Sequence, residues 1–289
     1  MLKIKTSSTI GKHLVSFLGA CFGFLVIIFA VWDLQISVAL VDSEAAWARF
    51  IAEYGETPGN IIIIIALFAV FIAAKEKWGT KSPIIIAIVI GGLVWQIFAL
   101  INAIFGGITF QLIPIILAFV LATLVVIRKG NFTISNEFQT FAVFTLILAV
   151  LNPLLFVQVI KILWGRIRFR DLALDYSNYT PWFLPRGPTG HASFPSGHAA
   201  MGWMLLPILS VPHLKKNKAI YYLTTVIILT WGVVVALGRV VVGAHYASDV
   251  LFSTGVAWLI FILLVKYYRG KALFPNNNPQ LAKDVTNVQ

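Results

Sequence analysis

Three short runs in the second half of the chain carry residues that could bind a phosphate and attack it. Charged and ionisable groups are costly near a bilayer, so a cluster of them in an apolar chain indicates function. The runs provide three cations, a hydroxyl beside a glycine, two histidines and one carboxylate: Lys161, Arg168, Ser196, Gly197, His198, Arg239, His245 and Asp249. Together these groups predict a site that holds an anion and contains a nucleophile with a partner carboxylate.

Lys161 and Arg168 are seven residues apart, so a helix continuing through both would place them two turns apart on one face. A guanidinium binds phosphate oxygens in a fork, and an ammonium acts as a mobile point charge. Lysine and arginine at a helix end are more often snorkelling residues, so this pair alone does not identify a site.

The run Pro195-Ser196-Gly197-His198 precedes a predicted helix, and proline suits a helix start. The N-terminus of a helix offers unpaired N–H groups to an anion. Gly197 would let a phosphate approach the backbone, and Ser196 would add a hydroxyl donor. His198 would then face the same site from the first turn. A structural histidine at a helix start is the alternative to this interpretation.

His245 and Asp249 are spaced i and i+4, so on a helix their side chains would meet. A carboxylate on one ring nitrogen orients the other and stabilises the imidazolium that forms during reaction. A lone histidine–aspartate pair in a membrane is as often a proton relay or a simple buried pair. The presence of all three runs together favours an activated nucleophile.

The composition predicts a protein embedded in a membrane. The 289 residues are 59% hydrophobic and 11% charged, whereas soluble domains are about 25% charged. We predict an all-α fold, a polytopic transmembrane helical bundle, because several apolar blocks approach the ~20 residues that span a bilayer. The blocks give about eight spans, at residues 14–32, 60–75, 83–105, 110–127, 138–160, 197–212, 219–238 and 249–267.

The net charge of +11 indicates membrane topology rather than nucleic-acid binding. With a cytoplasmic N-terminus, 14 of the 22 basic residues fall in inner segments, as the positive-inside bias predicts. The C-terminus is then cytoplasmic as well, and all three polar runs lie on the outer face. The first outer segment contains Arg49 but is predominantly acidic, with Asp33, Asp42, Glu44, Glu53 and Glu56.

The predicted organisation has three parts. N-terminal membrane helices occupy residues 1–137, a catalytic helical core occupies 138–271, and a flexible cytoplasmic tail occupies 272–289. Within the first part, residues 33–58 form an outer segment with apolar residues at helical spacing. This segment is either an amphipathic helix on the leaflet or a loop that covers the bundle. The single cysteine, Cys21, excludes an intrachain disulfide.

The three runs resemble the motifs of the type-2 phosphatidic acid phosphatase superfamily, in the same order and with the same spacing. That superfamily shares its site with bacterial acid phosphatases and vanadium haloperoxidases, and the resemblance extends over residues 155–255. It implies six core helices, so two of the predicted spans would be additions. Phe169 stands where a proline is common. Gly238 stands where a serine is common, which removes one hydroxyl from the implied phosphate site.

The resemblance implies that His245 attacks phosphorus and forms a phosphohistidine, with Asp249 as its partner. His198 would protonate the leaving group and then help water to hydrolyse the phosphoenzyme. No cofactor and no metal is implied, and no cluster with metal-ligand spacing accompanies the runs. The phosphate oxygens would be held by Lys161, Arg168, Ser196, Gly197 and Arg239.

Other polar residues of the long outer loop receive weaker assignments. His191 is a candidate substrate contact, because it lies seven residues before His198. Four further residues are interpreted as loop ion pairs or headgroup contacts: Arg166, Arg170, Asp171 and Arg186.

These expectations describe an integral lipid phosphatase of the cell membrane with an extracytoplasmic active site. Its partners would be the bilayer and a membrane lipid phosphate, such as a polyprenyl diphosphate, phosphatidylglycerophosphate or phosphatidate. Two alternatives remain: a lipid phosphotransferase that uses the same intermediate, and a non-enzymatic membrane transporter.

Overall fold

The computed structural model describes residues 3–78, 134–211, 214 and 216–268, and within these residues it contains helices and no strand. The α-helices are α1 Lys3–Leu40, α2 Ala46–Tyr54, α3 Thr57–Trp78, α4 Asn136–Ala149, α5 Val157–Trp164, α6 Gly197–Gly202, α7 Lys218–Val241 and α8 Ala247–Tyr267. A π-helix, Val150–Phe156, joins α4 to α5. Two 3₁₀ helices occupy Phe169–Asp171 and Trp203–Ser210.

Five stretches of the described residues are long and apolar enough to cross a membrane. The prediction of an all-helical protein with several helices able to cross a membrane is therefore confirmed for this part of the chain. The predicted spans 83–105 and 110–127 and the predicted tail 272–289 lie outside the described residues, and the cytoplasmic position of both termini stays a prediction. The five stretches are Val15–Leu40, Ala46–Lys75, Asn136–Asp171, Lys218–Val241 and Ala247–Tyr267.

The predicted span 197–212 is helical but changes type along its length. The short helix α6 ends at Gly202, and the chain continues as a 3₁₀ helix to Ser210. Pro207 lies inside that second part. Proline has no N–H to donate to the carbonyl four residues earlier, so an α-helix is interrupted there. The segment is consequently not a uniform α-helix of membrane-spanning length.

The helix that carries Lys161 ends earlier than the sequence spacing suggests. Gly165 adopts a left-handed conformation with φ of 55°, and its N–H donates to the Lys161 carbonyl at 3.2 Å. A Cβ at Gly165 would lie 2.0 Å from the carbonyl oxygen of Gly187, so only glycine fits this C-terminal turn. Arg168 follows in extended conformation. The expectation that Lys161 and Arg168 share one helical face is therefore wrong, because the chain turns at Gly165.

The described contacts divide the chain into two compact units. One unit combines Met1–Gly59, Leu148–Leu205 and Val226–Ile260, and it contains all the predicted site residues. Small side chains let its helices approach one another closely, as in a core cluster of Ala199, Ala236, Val240 and Val250. The other unit has its own core cluster, formed by Ala66, Ala69, Phe141 and Ala142.

The segment 33–58, which the sequence predicts to lie outside the membrane, is largely helical. Helix α1 extends to Leu40, so Asp33 lies within it, and α2 follows as a separate short helix. Helix α2 buries Ala48 and Ile51 and leaves Trp47 about half exposed. A turn at Gly55 and Glu56 then leads into α3. The segment thus brings two acidic residues, one in a helix and one in a turn, into the unit that holds the predicted site.

Candidate active site

The predicted site residues come from four helix ends and the turns beside them. Lys161 lies in the last turn of α5, His198 in the first turn of α6, Arg239 in the last turn of α7, and Asp249 in the first turn of α8. Backbone contacts join these ends. The Ser196 N–H donates to the Asp249 carbonyl at 3.1 Å. The structure therefore brings all three sequence runs into one place.

His245 is held by its Nδ1 atom. Nδ1 lies 2.6 Å from the carbonyl oxygen of Ser193 and 3.5 Å from Oδ2 of Asp249. A carbonyl can only accept a hydrogen bond, so Nδ1 carries the hydrogen and Nε2 carries the lone pair. This is the tautomer that a nucleophilic Nε2 requires.

The pairing of His245 with Asp249 arises differently from the helical spacing that predicted it. Helix α8 begins at Ala247, so His245 precedes the helix and meets the carboxylate across its first turn. The two side chains therefore meet although only Asp249 lies in the helix. The nearest partner of the ring is the carbonyl of Ser193, a contact between residues 52 apart that the sequence spacing does not indicate.

Burial sets the protonation state of His245, which is 2% exposed. Removal from water lowers the pKa of His245 from its ordinary 6.5 to about 3. The hydrogen bond to Asp249 acts in the opposite direction, and the positive charge of Arg239 lowers the pKa further. The imidazole is therefore neutral at physiological pH and able to act as a nucleophile.

We expect the ¹⁵N resonances of His245 to keep the pattern of the neutral Nδ1–H tautomer from pH 8 to pH 5. The measurement is NMR of ¹⁵N-histidine-labelled protein in detergent, with His245 assigned by the signal that a His245→Gln variant loses. The unfolded chain binds a proton near pH 6.5 that the folded chain does not bind. The contribution of His245 to stability is thus complete above pH 6.5 and lost as pH falls toward 3. A resonance that titrates with a midpoint near 6.5 would contradict this protonation state.

Asp249 is fully buried and accepts several hydrogen bonds. Nη1 of Arg166 lies 2.6 Å from Oδ1 of Asp249, and the Ser193 hydroxyl lies 2.5 Å from Oδ2. The Tyr246 N–H donates to Oδ2 at 3.0 Å, which also satisfies a backbone donor at the start of α8. These bonds fix the carboxylate that faces His245.

Arg166 joins Asp249 to a second buried carboxylate, that of Asp33 in α1. Nη2 of Arg166 lies 2.9 Å from Oδ2 of Asp33. Ser248 donates to Asp33 through its backbone N–H at 2.9 Å and through its hydroxyl at 2.5 Å. The guanidinium is 1% exposed and lies 3.8 Å from the centre of the Tyr246 ring. One buried cation therefore serves two buried anions.

The sequence interpretation of the loop charges holds in part. Arg170 and Asp171 form a half-exposed ion pair at 3.8 Å, as expected of loop residues. Arg166 is also ion-paired, but it lies in the core beneath the site rather than in an exposed loop. In the sequence, Asp33 is explained as one of the acidic residues of the predicted outer segment. Its position directly after an apolar block indicates a second possibility, because an acidic residue that is buried must have a partner.

His198 contacts the α2–α3 turn. Its Nδ1 atom lies 2.9 Å from Oε1 of Glu56, and its Nε2 atom lies 3.1 Å from the carbonyl oxygen of Ala52. The side chains of His198 and Glu56 are 23% and 36% exposed, so both are accessible to a ligand. The contact of Glu56 with His198 is not indicated by the sequence, in which Glu56 is one of several acidic residues of a predicted outer segment.

Three cations stand together at the site. Lys161 interacts electrostatically with both Arg168 and Arg239. The Nζ atom of Lys161 lies 3.6 Å from the point where a Cβ of Gly197 would stand. Within the described residues, Nε of Arg168 and Nε of Arg239 are buried and have no hydrogen-bond partner. Buried donors without partners are rare, and a bound anion would provide the missing acceptors.

Ser196 and His191 differ in how far they fit their predicted roles. Ser196 is fully buried and caps α6, with its hydroxyl oxygen accepting the Ala199 N–H at 3.3 Å. Within the described residues no hydrogen bond uses the hydroxyl hydrogen of Ser196, and its role in binding an anion stays a prediction. His191 is exposed, and the structure describes no hydrogen bond of its ring to another described residue. Its role as a substrate contact stays a prediction.

The two positions that depart from the family motif, Gly238 and Phe169, both make close packing contacts. A Cβ at Gly238 would lie 2.9 Å from Cγ2 of Ile51, so glycine lets α2 pack directly on α7. Phe169 stacks on Tyr176 with ring centres 5.8 Å apart and meets the edge of Tyr246. The missing serine hydroxyl is thus accompanied by a closer approach of α2.

Comparison with known proteins agrees with the geometry. The model of the PAP2 superfamily matches residues 142–272, which contain all three runs. These residues belong to the PAP2 superfamily. The resemblance that the motifs indicate is thereby confirmed. Asp33 and Glu56 lie outside the PAP2 match, so part of the charge around the site comes from the N-terminal helices.

Two bacterial proteins are similar to part of the chain. Phosphatidylglycerophosphatase B of Haemophilus influenzae is 36% identical over 88 residues, which are 30% of this chain and 36% of that protein. Phosphatidylglycerophosphatase B of Bacillus subtilis is 31% identical over 90 residues, which are 29% of this chain and 43% of that protein. The matches thus span less than half of either relative. No solved structure matches the chain.

Proposed function

We propose that this protein is a membrane lipid phosphatase that works through a phosphohistidine at residue 245. The observation that carries the proposal is the state of His245: it is buried and neutral, its Nδ1 is fixed by the Ser193 carbonyl, and its Nε2 keeps the lone pair. A neutral imidazole held in one tautomer beside a carboxylate is an activated nucleophile. A proton relay would require a ring that exchanges protons near physiological pH.

The proposed reaction has two steps. In the first, Nε2 of His245 attacks phosphorus, and the bond from phosphorus to the lipid oxygen breaks. His198 gives that oxygen a proton. In the second, the neutral His198 takes a proton from water, the resulting hydroxide attacks phosphorus, and the bond to His245 breaks. Inorganic phosphate and free enzyme result.

The cations supply the remaining stabilisation. Lys161, Arg168 and Arg239 face one region, and two of them carry buried donors without a described partner. Negative charge spreads over the equatorial oxygens of phosphorus in the transition state, so fixed cations lower its free energy. We propose that these side chains perform the role a metal ion has in other phosphatases, and that no metal takes part.

Composition and the relatives support a proposed substrate class and a proposed membrane face. Apolar helices that can cross a membrane fit a lipid substrate, and both relatives are named for phosphatidylglycerophosphate. Phosphatidylglycerophosphate is therefore the first candidate, followed by phosphatidate and polyprenyl diphosphates. The positive-inside bias of the basic residues supports a site at the outer face.

We expect orthovanadate to inhibit phosphate release and a chelator to have no effect. Vanadate adopts the five-coordinate geometry that phosphorus has in the transition state of phosphoryl transfer, and it would bond to Nε2 of His245. The measurement is inorganic phosphate released from the three candidate lipids in detergent micelles, with and without EDTA. Activity that EDTA removes and vanadate leaves intact would refute the metal-independent mechanism. Transfer of phosphate to added lipid alcohols in place of release would identify a phosphotransferase.

A further inference from the structure

The ring of His198 is bonded at both nitrogens to groups that accept hydrogen bonds. Nδ1 faces the Glu56 carboxylate at 2.9 Å, and Nε2 faces the Ala52 carbonyl at 3.1 Å. A neutral imidazole has one donor and one acceptor, whereas an imidazolium has two donors. The doubly protonated ring therefore satisfies both contacts, and the neutral ring would leave one nitrogen lone pair against an oxygen.

Two close backbone approaches bring Glu56 to His198. A Cβ at Gly59 would lie 2.6 Å from the carbonyl oxygen of Met201, so α3 and α6 pack in direct contact one turn beyond the two side chains. On the other side, Gly238 admits Ile51 of α2. These two close contacts fix the turn between α2 and α3 beside the site, and Glu56 lies in this turn.

The electrostatic surroundings suit a carboxylate at this position. The strongest electrostatic attraction of the Glu56 carboxylate is to His198, and weaker attractions are to Arg239 and Lys161. A carboxylate that accepts the Nδ1–H of an imidazole fixes the orientation of the ring. Because Glu56 is bound to the ring rather than placed among the unpartnered guanidinium donors, it acts on the proton donor and leaves the anion site to the phosphate.

We propose that Glu56 is a positioning residue that holds the Nδ1–H of His198 and thereby aims its Nε2–H at the leaving group. This inference rests on the proposed phosphatase function. In the resting site Nε2–H bonds to the Ala52 carbonyl, and in the reaction the lipid oxygen takes the place of that carbonyl. As the bond from phosphorus to oxygen breaks, its electron pair on oxygen accepts the proton from Nε2. The ring becomes neutral and keeps its Nδ1–H on Glu56.

A role of Glu56 in proton donation, unlike a purely structural role, makes the effect of its loss depend on the leaving group. An alkoxide leaving group needs a proton as it departs, whereas p-nitrophenolate is stable without one. Loss of Glu56 should therefore harm hydrolysis of an alkyl phosphate far more than hydrolysis of p-nitrophenyl phosphate. A general defect in folding or in phosphate binding would reduce both rates by the same factor.

The test compares kcat/KM of purified full-length protein for phosphatidate and for p-nitrophenyl phosphate. We expect Glu56→Gln to lower the value for phosphatidate by about 10- to 100-fold and the value for p-nitrophenyl phosphate by less than about threefold. Glu53→Gln is the matched control, because Glu53 is an exposed carboxylate on neighbouring α2. Glu56→Asp, which keeps the charge on a shorter side chain, should fall between wild type and Glu56→Gln for phosphatidate.

A second measurement tests whether the effect of Glu56→Gln on activity requires His198. In a His198→Ala background, Glu56→Gln should change neither kcat/KM value by more than about twofold, because the residue through which it acts is gone. Equal losses for both substrates in Glu56→Gln, or an undiminished effect of Glu56→Gln in the His198→Ala background, would overturn the role of Glu56 alone. Phosphate release that persists in His245→Ala, or no release by wild type from either substrate, would overturn the proposed function as well.

Discussion

Replacement of His245 by alanine is expected to abolish phosphate release, lowering kcat/KM by about 10⁴-fold or more. Within the proposed mechanism this ring forms the covalent intermediate, so no neighbouring group can substitute for it. The measurement is phosphate release from the best lipid substrate, together with the thermal unfolding midpoint of each purified variant. His245→Gln, which keeps an amide donor near the Ser193 carbonyl, separates loss of the nucleophile from loss of that hydrogen bond.

The intermediate itself can be trapped with a variant that forms it but hydrolyses it slowly. His198→Ala still allows attack on p-nitrophenyl [³²P]phosphate, because that leaving group departs without a proton. The water step then lacks its base. Label should accumulate on the protein, survive an alkaline quench and be lost in acid, as expected of a phosphoramidate. Absence of label from His198→Ala, or label that persists when His245→Ala is added, would exclude His245 as the nucleophile.

Replacement of Arg166 by methionine is expected to destabilise the protein by about 3–5 kcal/mol and to remove activity. Methionine fills a similar volume, but it leaves the carboxylates of Asp33 and Asp249 buried without their cation. A buried charge without a partner is far more costly than a missing ion pair. The measurement is unfolding in detergent monitored by circular dichroism. Arg170→Met is the matched control, since Arg170 is a half-exposed arginine whose ion pair contributes at most about 1 kcal/mol.

A second substitution tests whether the two carboxylates cause the loss. Asp33→Asn added to Arg166→Met removes one buried charge, so stability should partly return while activity stays absent, because Asp249 is still unpaired. Stability and activity thus separate in the double variant. A loss in Arg166→Met no greater than that in Arg170→Met, or no recovery on adding Asp33→Asn, would contradict a shared buried cation.

The candidate catalytic residues could be picked out from the sequence because their types are rare in an apolar chain. His198, His245 and Asp249 stand out among aliphatic neighbours, and the spacing of the three runs indicates that they act together. The long apolar blocks likewise predict membrane-crossing helices, since length and hydropathy decide that property. The sequence thus identifies well those features that depend on neighbouring residues alone, such as an ionisable residue within an apolar segment.

The supporting residues could not be found in the same way, because their partners are distant in sequence. Asp33 bonds to Arg166 across 133 residues, and the ring of His198 bonds to the Ala52 carbonyl, beside Glu56, across 146. Both acids lie in a segment where acidic residues have a sufficient explanation in topology. The turn at Gly165 was also missed. A glycine after an apolar run permits a helix to end, but the left-handed conformation depends on the approach of Gly187.

The contact of Asp33 with Ser248 bears on how the protein is made. It joins residues 215 positions apart, so the carboxylate of Asp33 obtains all its hydrogen bonds only after α8, the last helix described, has been synthesised. Arg166 likewise obtains the carboxylate of Asp249 only with α8. The proposed nucleophile His245, the carboxylate of Asp249 and the final hydrogen bonds of Asp33 all depend on the same stretch of newly synthesised chain. In the proposed mechanism, completion of this buried network and the onset of reactivity therefore coincide, and a chain terminated before residue 245 would carry the cations without the proposed nucleophile.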